Sequence, residues 1–156
     1  MRMEVVCWQS MVLIGWLAGA KYPNLVAAQY ALESGWGQST SGAYNYFGLK
    51  GSGTTKSTQE YINGQLVTVN ASFKDYNSPQ ESVKDLVSKW YKDYKGYQGV
   101  NRATSRENAA YMLSAQGYAT SPDYAEKLIS LMNRYSVEVP NEDLLSDKAR
   151  KPYRCS

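Results

Sequence analysis

The sequence predicts an α+β chain that is mostly helical, with one small β-hairpin set into it. Apolar residues recur at three- and four-residue spacing in several stretches, which proline or Ser/Thr caps open and glycines close. A single Asn63-Gly64 pair sits between two runs rich in β-formers. At 156 residues the chain is the size of one domain that buries its own core without metal or disulfide help. A hydrophobic content of 43% with 14 tyrosines belongs to a folded chain.

Met3 to Leu17 reads as an apolar helix ended near Gly19. Arg2, the run Met11 to Ala20 and the small residues Ala18-Gly19-Ala20 imitate a secretion signal, but Glu4 spoils its positive start and Gln9-Ser10 interrupt the apolar run. A buried first helix is the better reading, and the run is too short to span a bilayer. Pro23 takes the first position of a second helix, Asn24 to Ser34, which Gly35 stops. Gly35 to Gly53 is irregular; Thr54 to Tyr61 and Gln65 to Phe73 form the hairpin. Ser78-Pro79-Gln80-Glu81 is a capping box opening a helix that carries Val83, Leu86, Val87, Trp90, Tyr91 and Tyr94 and ends at Gly96. Thr104-Ser105-Arg106-Glu107 is a second capping box, for a helix through Ser114. Ser121-Pro122 starts the last helix, with Tyr124, Leu128, Leu131, Met132 and Tyr135 on one face. The chain divides into a folded domain over 1–136 and a polar tail over 137–156. A hairpin this small is not stable alone; leaning on the helices, it leaves a groove.

Net charge is +3 with both signs interspersed, which does not suit a nucleic-acid partner. Cys7 and Cys155 lie near opposite ends with no metal-ligand or redox spacing. Two free thiols are expected, although pairing cannot be read from sequence. No phosphate loop or nucleotide fingerprint is present, and no cofactor is expected. The chain has no histidine, so acid–base chemistry falls to carboxylates and tyrosines. Histidine-liganded zinc amidases and cysteine–histidine peptidases are excluded. Glu33 stands out: it ends an apolar helical run and is followed at once by Gly35-Trp36-Gly37. In a partly dry cleft, burial raises a carboxyl's pKa and lets it donate a proton.

Four blocks, in order, carry a resemblance. They are Ala28-Gln29-Tyr30-Ala31-Leu32-Glu33-Ser34-Gly35-Trp36-Gly37-Gln38-Ser39; Asn45-Tyr46-Phe47-Gly48-Leu49-Lys50-Gly51; Phe73-Lys74-Asp75-Tyr76 with Glu81-Ser82; and Gly117-Tyr118-Ala119-Thr120 with Pro122, Tyr124, Ala125, Lys127 and Leu128. Together they resemble the bacterial and phage N-acetylglucosaminidases of glycoside hydrolase family 73, over about residues 5 to 136. Ser121 departs from the aspartate usual in the last block, and Tyr44 from a common asparagine.

The resemblance implies a lysozyme-like α domain whose hairpin lobe forms a substrate cleft. It implies a monomer that hydrolyses the β-1,4 bond between N-acetylglucosamine and N-acetylmuramic acid in the glycan strands of peptidoglycan; a muramidase or lytic transglycosylase on the same polymer, and a non-catalytic glycan-binding or phage structural module, are the alternatives. The site of action would be the bacterial cell wall, without stable membrane insertion and by an export route the sequence does not give. Glu33 would be the general acid. For its partner the resemblance leaves two possibilities: Glu60 on the hairpin, activating water, or the substrate's own 2-acetamido group, oriented by Tyr118. Trp36, Tyr46, Phe47 and Tyr124 are candidates for sugar stacking or cleft walls; each is also a core residue type, and for Phe47 the two readings stand level. Lys50 is a candidate for a substrate carboxylate or a solvated lysine.

Overall fold

The computed structural model describes residues 5–139. The expected start of the first helix at Met3 lies outside the described residues, as does most of the expected tail, but residues 5–7 are not helical and the helix begins only at Trp8, with Cys7 as its cap. Helix α1 spans Trp8–Leu17 and α2 Pro23–Ser34; strands β1 (Gly53–Ile62) and β2 (Gln65–Lys74) follow. Helix α3, Pro79–Leu86, runs directly into a π-helical turn, Val87–Tyr91. A 3-10 turn at Val100–Arg102, α4 (Arg106–Ala115) and α5 (Tyr124–Tyr135) complete the order.

Helix α2 is the axis of the molecule. Ten of its residues, from Pro23 to Ala31 and then Ser34, are buried, so it is apolar nearly all round, as a central helix must be. Its few polar side chains each have partners, as burial requires. Asn24 accepts from Trp8 Nε1 at 2.9 Å and closes on Val137 through two backbone bonds of 2.8 and 3.0 Å. Ser34 donates to the Tyr30 carbonyl at 2.6 Å and accepts the Gly37 N–H at 2.8 Å. Gly35 stops the helix in the left-handed region, at φ 54°. Gly37 must be glycine: its φ is 83°, and a side-chain carbon there would stand 2.3 Å from the Tyr30 hydroxyl.

The hairpin is a two-stranded antiparallel sheet with Ile62 opposite Gln65 across Asn63-Gly64, both at positive φ. The sequence places it to within one residue at each end. Most of it is exposed; Phe73 at its base is buried and Lys50 pairs beside it.

Four further expectations are corrected. Helix α5 begins at Tyr124 behind Asp123, two residues beyond the Pro122 expected to open it. Cys7 is disulfide-bonded rather than free; the other cysteine of the sequence lies outside the described residues. The central helix stops at Tyr91, not Gly96. Gly99 packs so tightly on Tyr91 and Lys92 that a side-chain carbon would meet the Tyr91 carbonyl at 2.1 Å. Lys92 turns extended, and Tyr94 to Tyr97 form a tight turn at the surface instead of a further helical turn. The cap of α4 is Ser105, which accepts the Asn108 N–H at 3.0 Å, one residue later than the box read from Thr104 to Glu107. Among the described residues no helix is long and apolar enough to cross a membrane.

Candidate active site

Glu33 sits in the last turn of α2, half-buried, at the edge of a cavity of about 230 Å³. Helix α2 lends this cavity Leu32, the hairpin lends Gln59 and Tyr61, the segment before α5 lends Ala119, Thr120 and Ser121, and α5 lends Tyr124 and Lys127. It lies where the hairpin lobe leans on the helical body, and the Tyr61 N–H reaches across to Thr120 Oγ1 at 3.0 Å. Tyr61 lies opposite Leu66 in the hairpin and β1 is an edge strand, so this donor faces away from β2.

Burial pushes the Glu33 carboxyl from 4.5 up to about 7; a hydrogen bond from the Tyr124 hydroxyl draws it partly back. Tyr124 and Tyr118 are themselves held well above the ordinary phenol range, by burial first and then by the Glu33 charge. Both are neutral hydroxyls beside an acid. Their rings stack at 5.7 Å and 11°, and Trp90 meets Tyr118 edge-on at 4.8 Å. The Tyr118 hydroxyl donates to the Phe47 carbonyl at 2.8 Å.

Tyr124 and Glu33 are thus brought together, with Tyr118 stacked beside them. Glu60 is elsewhere. Gln59 and Tyr61 line the cavity, and strand alternation turns the residue between them to the other face. There Glu60 holds Lys50 at 2.7 Å.

The expectation that Tyr46 and Phe47 stack on sugar is corrected, because both are 1% exposed and belong to the core. Tyr46 packs edge-on against Tyr30 at 5.2 Å. Their loop is folded inward by Asn45, fully buried, whose amide gives hydrogen bonds to the carbonyls of Leu49 and Lys74 at 2.8 and 2.9 Å. Its oxygen accepts the Leu49 N–H at 3.0 Å. Trp36 is not among the cavity-lining residues; its ring packs against Trp8 at 5.7 Å and Tyr135 at 4.8 Å.

Sequence reasoning missed Gln29. It is completely buried, one turn before Glu33, with its amide nitrogen 3.0 Å from the Tyr124 hydroxyl and its oxygen accepting from Tyr91 at 2.6 Å. The available signal was an amide in an otherwise apolar run, four residues before the carboxylate and so on its face of the helix.

Residues 19–137 match the family model described as mannosyl-glycoprotein endo-beta-N-acetylglucosaminidase, the glucosaminidase family. The chain belongs to this family. It is 37% identical over 142 residues to the peptidoglycan hydrolase FlgJ of Escherichia coli K12, covering 83% of this chain and 43% of that protein. It is 35% identical over 132 residues to the exo-glucosaminidase LytG of Bacillus subtilis, covering 77% of this chain and 46% of that one. The chain therefore spans less than half the length of these relatives. Its fold matches the solved glycoside hydrolase domain of Salmonella typhimurium FlgJ with a TM-score of 0.60 and 35% identity, over 81% of this chain and 95% of that one. The lysozyme-like fold with a hairpin lobe is the observed one.

Proposed function

We propose that this chain hydrolyses peptidoglycan at the β-1,4 bond between N-acetylglucosamine and N-acetylmuramic acid, with Glu33 as the general acid. The observation that carries this reading is the Glu33 carboxyl in the cavity, with its pKa pushed up to about 7 by burial. At neutral pH a substantial fraction of Glu33 holds a proton for the leaving oxygen, as glycoside hydrolysis requires. Family membership and the two named relatives support the substrate class. Lys50, paired with Glu60, is a lobe residue and not a substrate clamp in this reading.

The partner that best suits the geometry is the substrate's own acetamido group. Tyr118 is stacked on Tyr124 beside Glu33, whereas Glu60 is engaged with Lys50. The Tyr118 hydroxyl gives its proton to Phe47, leaving its oxygen lone pairs as acceptors. An acetamido N–H bound there directs the amide oxygen at the anomeric carbon while Glu33 protonates the leaving oxygen. Water then opens the resulting oxazolinium, its proton returning to Glu33.

The test is to digest purified wall with wild type and with Glu33→Gln, reduce the products with borohydride and identify the new end. Glucosaminitol from wild type, with activity about two to four orders of magnitude lower in the variant, is the expected result. Muramicitol or an anhydro-muramic product moves the cut to the other bond. Near-normal turnover by Glu33→Gln removes Glu33 from the role of acid.

A further inference from the structure

We propose that Gln29 is a positioning residue for this site: its buried side-chain amide fixes which way the Tyr124 hydroxyl proton points, and so makes Tyr124 a donor to Glu33. The inference rests on Glu33 being the acid and goes beyond it.

A carbonyl oxygen can only accept, and an amide nitrogen can only donate. Tyr91, at the end of the π-helical turn, gives its single proton to Gln29 Oε1 at 2.6 Å. That turns the amide nitrogen to the side of Tyr124, 3.0 Å away. The Gln29 amide also draws the Tyr118 phenol partly back from the rise that burial causes, as a donor beside its oxygen does. Tyr118 has spent its own proton on the Phe47 carbonyl at 2.8 Å, so it can only accept from Gln29. An amide turned the other way would set its oxygen against the lone pairs of Tyr118. The observed orientation satisfies all four groups. Once the Tyr124 oxygen accepts from Gln29, its own proton is free for Glu33.

A complete set of partners matters here because Gln29 is fully buried and an unpaired amide in that position is costly. The chain Tyr91–Gln29–Tyr124–Glu33 therefore has one direction. A donor at Glu33 steadies the carboxylate that remains after the proton has left, and holds the carboxyl group towards the cavity. Without it the Tyr124 hydroxyl is free to rotate and accept the Glu33 proton, which takes that proton away from the leaving oxygen.

Gln29→Met keeps roughly the volume and removes the donor. kcat and kcat/KM on purified glycan strands, measured across pH, should show kcat lower by roughly ten- to a hundredfold with KM nearly unchanged. The alkaline limb of kcat/KM should move up by about one unit. The groups that face Glu33 from the surrounding elements are Tyr124 and Lys127 on α5, Tyr118 before it and Tyr61 on β1, with Asp123 paired to Lys127 at 3.4 Å. None of them is altered by the substitution, so a moved limb belongs to the amide.

Tyr124→Phe should move the limb the same way, and the double variant no further, because Gln29 acts through Tyr124. A limb that stays in place while activity falls evenly at all pH overturns the inference, as does a double variant whose shifts add. If Gln29→Met does not fold, Tyr91→Phe removes only the hydroxyl that orients the amide. It should shift the limb in the same direction by less, and an unmoved limb there is equally fatal. Glu33→Gln run alongside separates the two failures: an active Glu33→Gln removes the acid itself, whereas an inactive one with no limb shift at Gln29 removes only this inference.

Discussion

A carboxyl group at the end of a buried helix gains affinity for its proton when water is excluded, and loses some of it when a hydroxyl donates to it. At Glu33 the first effect wins, and the group rests at about 7. The two candidate partners differ in where they are held. Tyr118 is stacked on Tyr124 at 5.7 Å, whereas Glu60 is tied to Lys50 at 2.7 Å on the other face of β1. Tyr118→Phe should therefore lower kcat by roughly ten- to a thousandfold, and Glu60→Gln should leave it within about threefold. Rates of reducing-end release from purified glycan strands decide between them. A collapse of activity in Glu60→Gln, with Tyr118→Phe nearly normal, assigns the partner to Glu60 and requires the hairpin to turn it inward.

Glu33 was legible in the sequence because it sits at a helix end that Gly35 defines; Tyr124 was legible only as a candidate for the cleft wall, since no side-chain cap marks the start of its helix. Tyr46 and Phe47 were not. An aromatic in a loop faces core or cleft according to how that loop closes, and here the closure is made by the buried Asn45 side chain, whose partners Leu49 and Lys74 lie four and 29 residues away. Gln29 was hidden for a related reason: its partners Tyr91 and Tyr124 are 62 and 95 residues distant.

Among the elements, the π-helical turn shows what periodicity cannot convey. A 3-and-4 stripe running through Trp90, Tyr91 and Tyr94 reads as one continuous helix, yet widening the last turn over Val87–Tyr91 sends the Tyr91 hydroxyl to Gln29 and the Trp90 edge to Tyr118. Such turns recur at functional sites because they re-aim side chains that a regular helix would stack. The hairpin, by contrast, was legible to within a residue because Asn-Gly fixes the turn and the turn fixes the register. What the sequence could not convey was its clasp, the Tyr61 N–H on Thr120 Oγ1.

That clasp gives the element a testable property. Thr120→Val keeps the shape and removes the acceptor. The expected loss is about 0.5–1 kcal/mol of local stability, read as faster hydrogen exchange of the Tyr61 amide with the rest of β1 little changed. Because Tyr61 and Thr120 both line the cavity, kcat/KM should fall by roughly two- to tenfold while the global unfolding midpoint stays put. An unchanged Tyr61 exchange rate would show that the clasp does not hold the lobe.

On the scale of the whole molecule, the acid at the site and the carboxylates at the surface act on stability in opposite directions. Glu33 in the native state keeps its proton up to about 7, whereas in the unfolded chain it releases it near 4.5. Between those values the native state binds more protons, so the stabilisation present below 4.5 is lost as pH rises and is gone above about 7. The difference is on the order of 3 kcal/mol. Asp85 runs the other way. Burial raises it, but hydrogen bonds from Tyr76 and Lys89 and the charges of Lys89 and Lys74 outweigh that and hold it low. Its contribution is present above the ordinary carboxylate range and lost as pH falls; Asp93, Glu107 and Asp123 share that sign but are solvent-exposed and screened.

Wild-type stability should therefore peak in mildly acidic solution and decline towards pH 8. Glu33→Gln removes the alkaline decline while leaving the acid one. Urea unfolding from pH 4 to 8 should show the variant gaining on wild type as pH rises through 4.5 to 7, and level with it or below it at pH 4. The same substitution that abolishes the proton transfer should make the protein more stable at neutral pH, the usual relation between a strained site and its scaffold. A gap between the two proteins that does not change with pH would mean that Glu33 does not carry the raised pKa on which its role as acid depends.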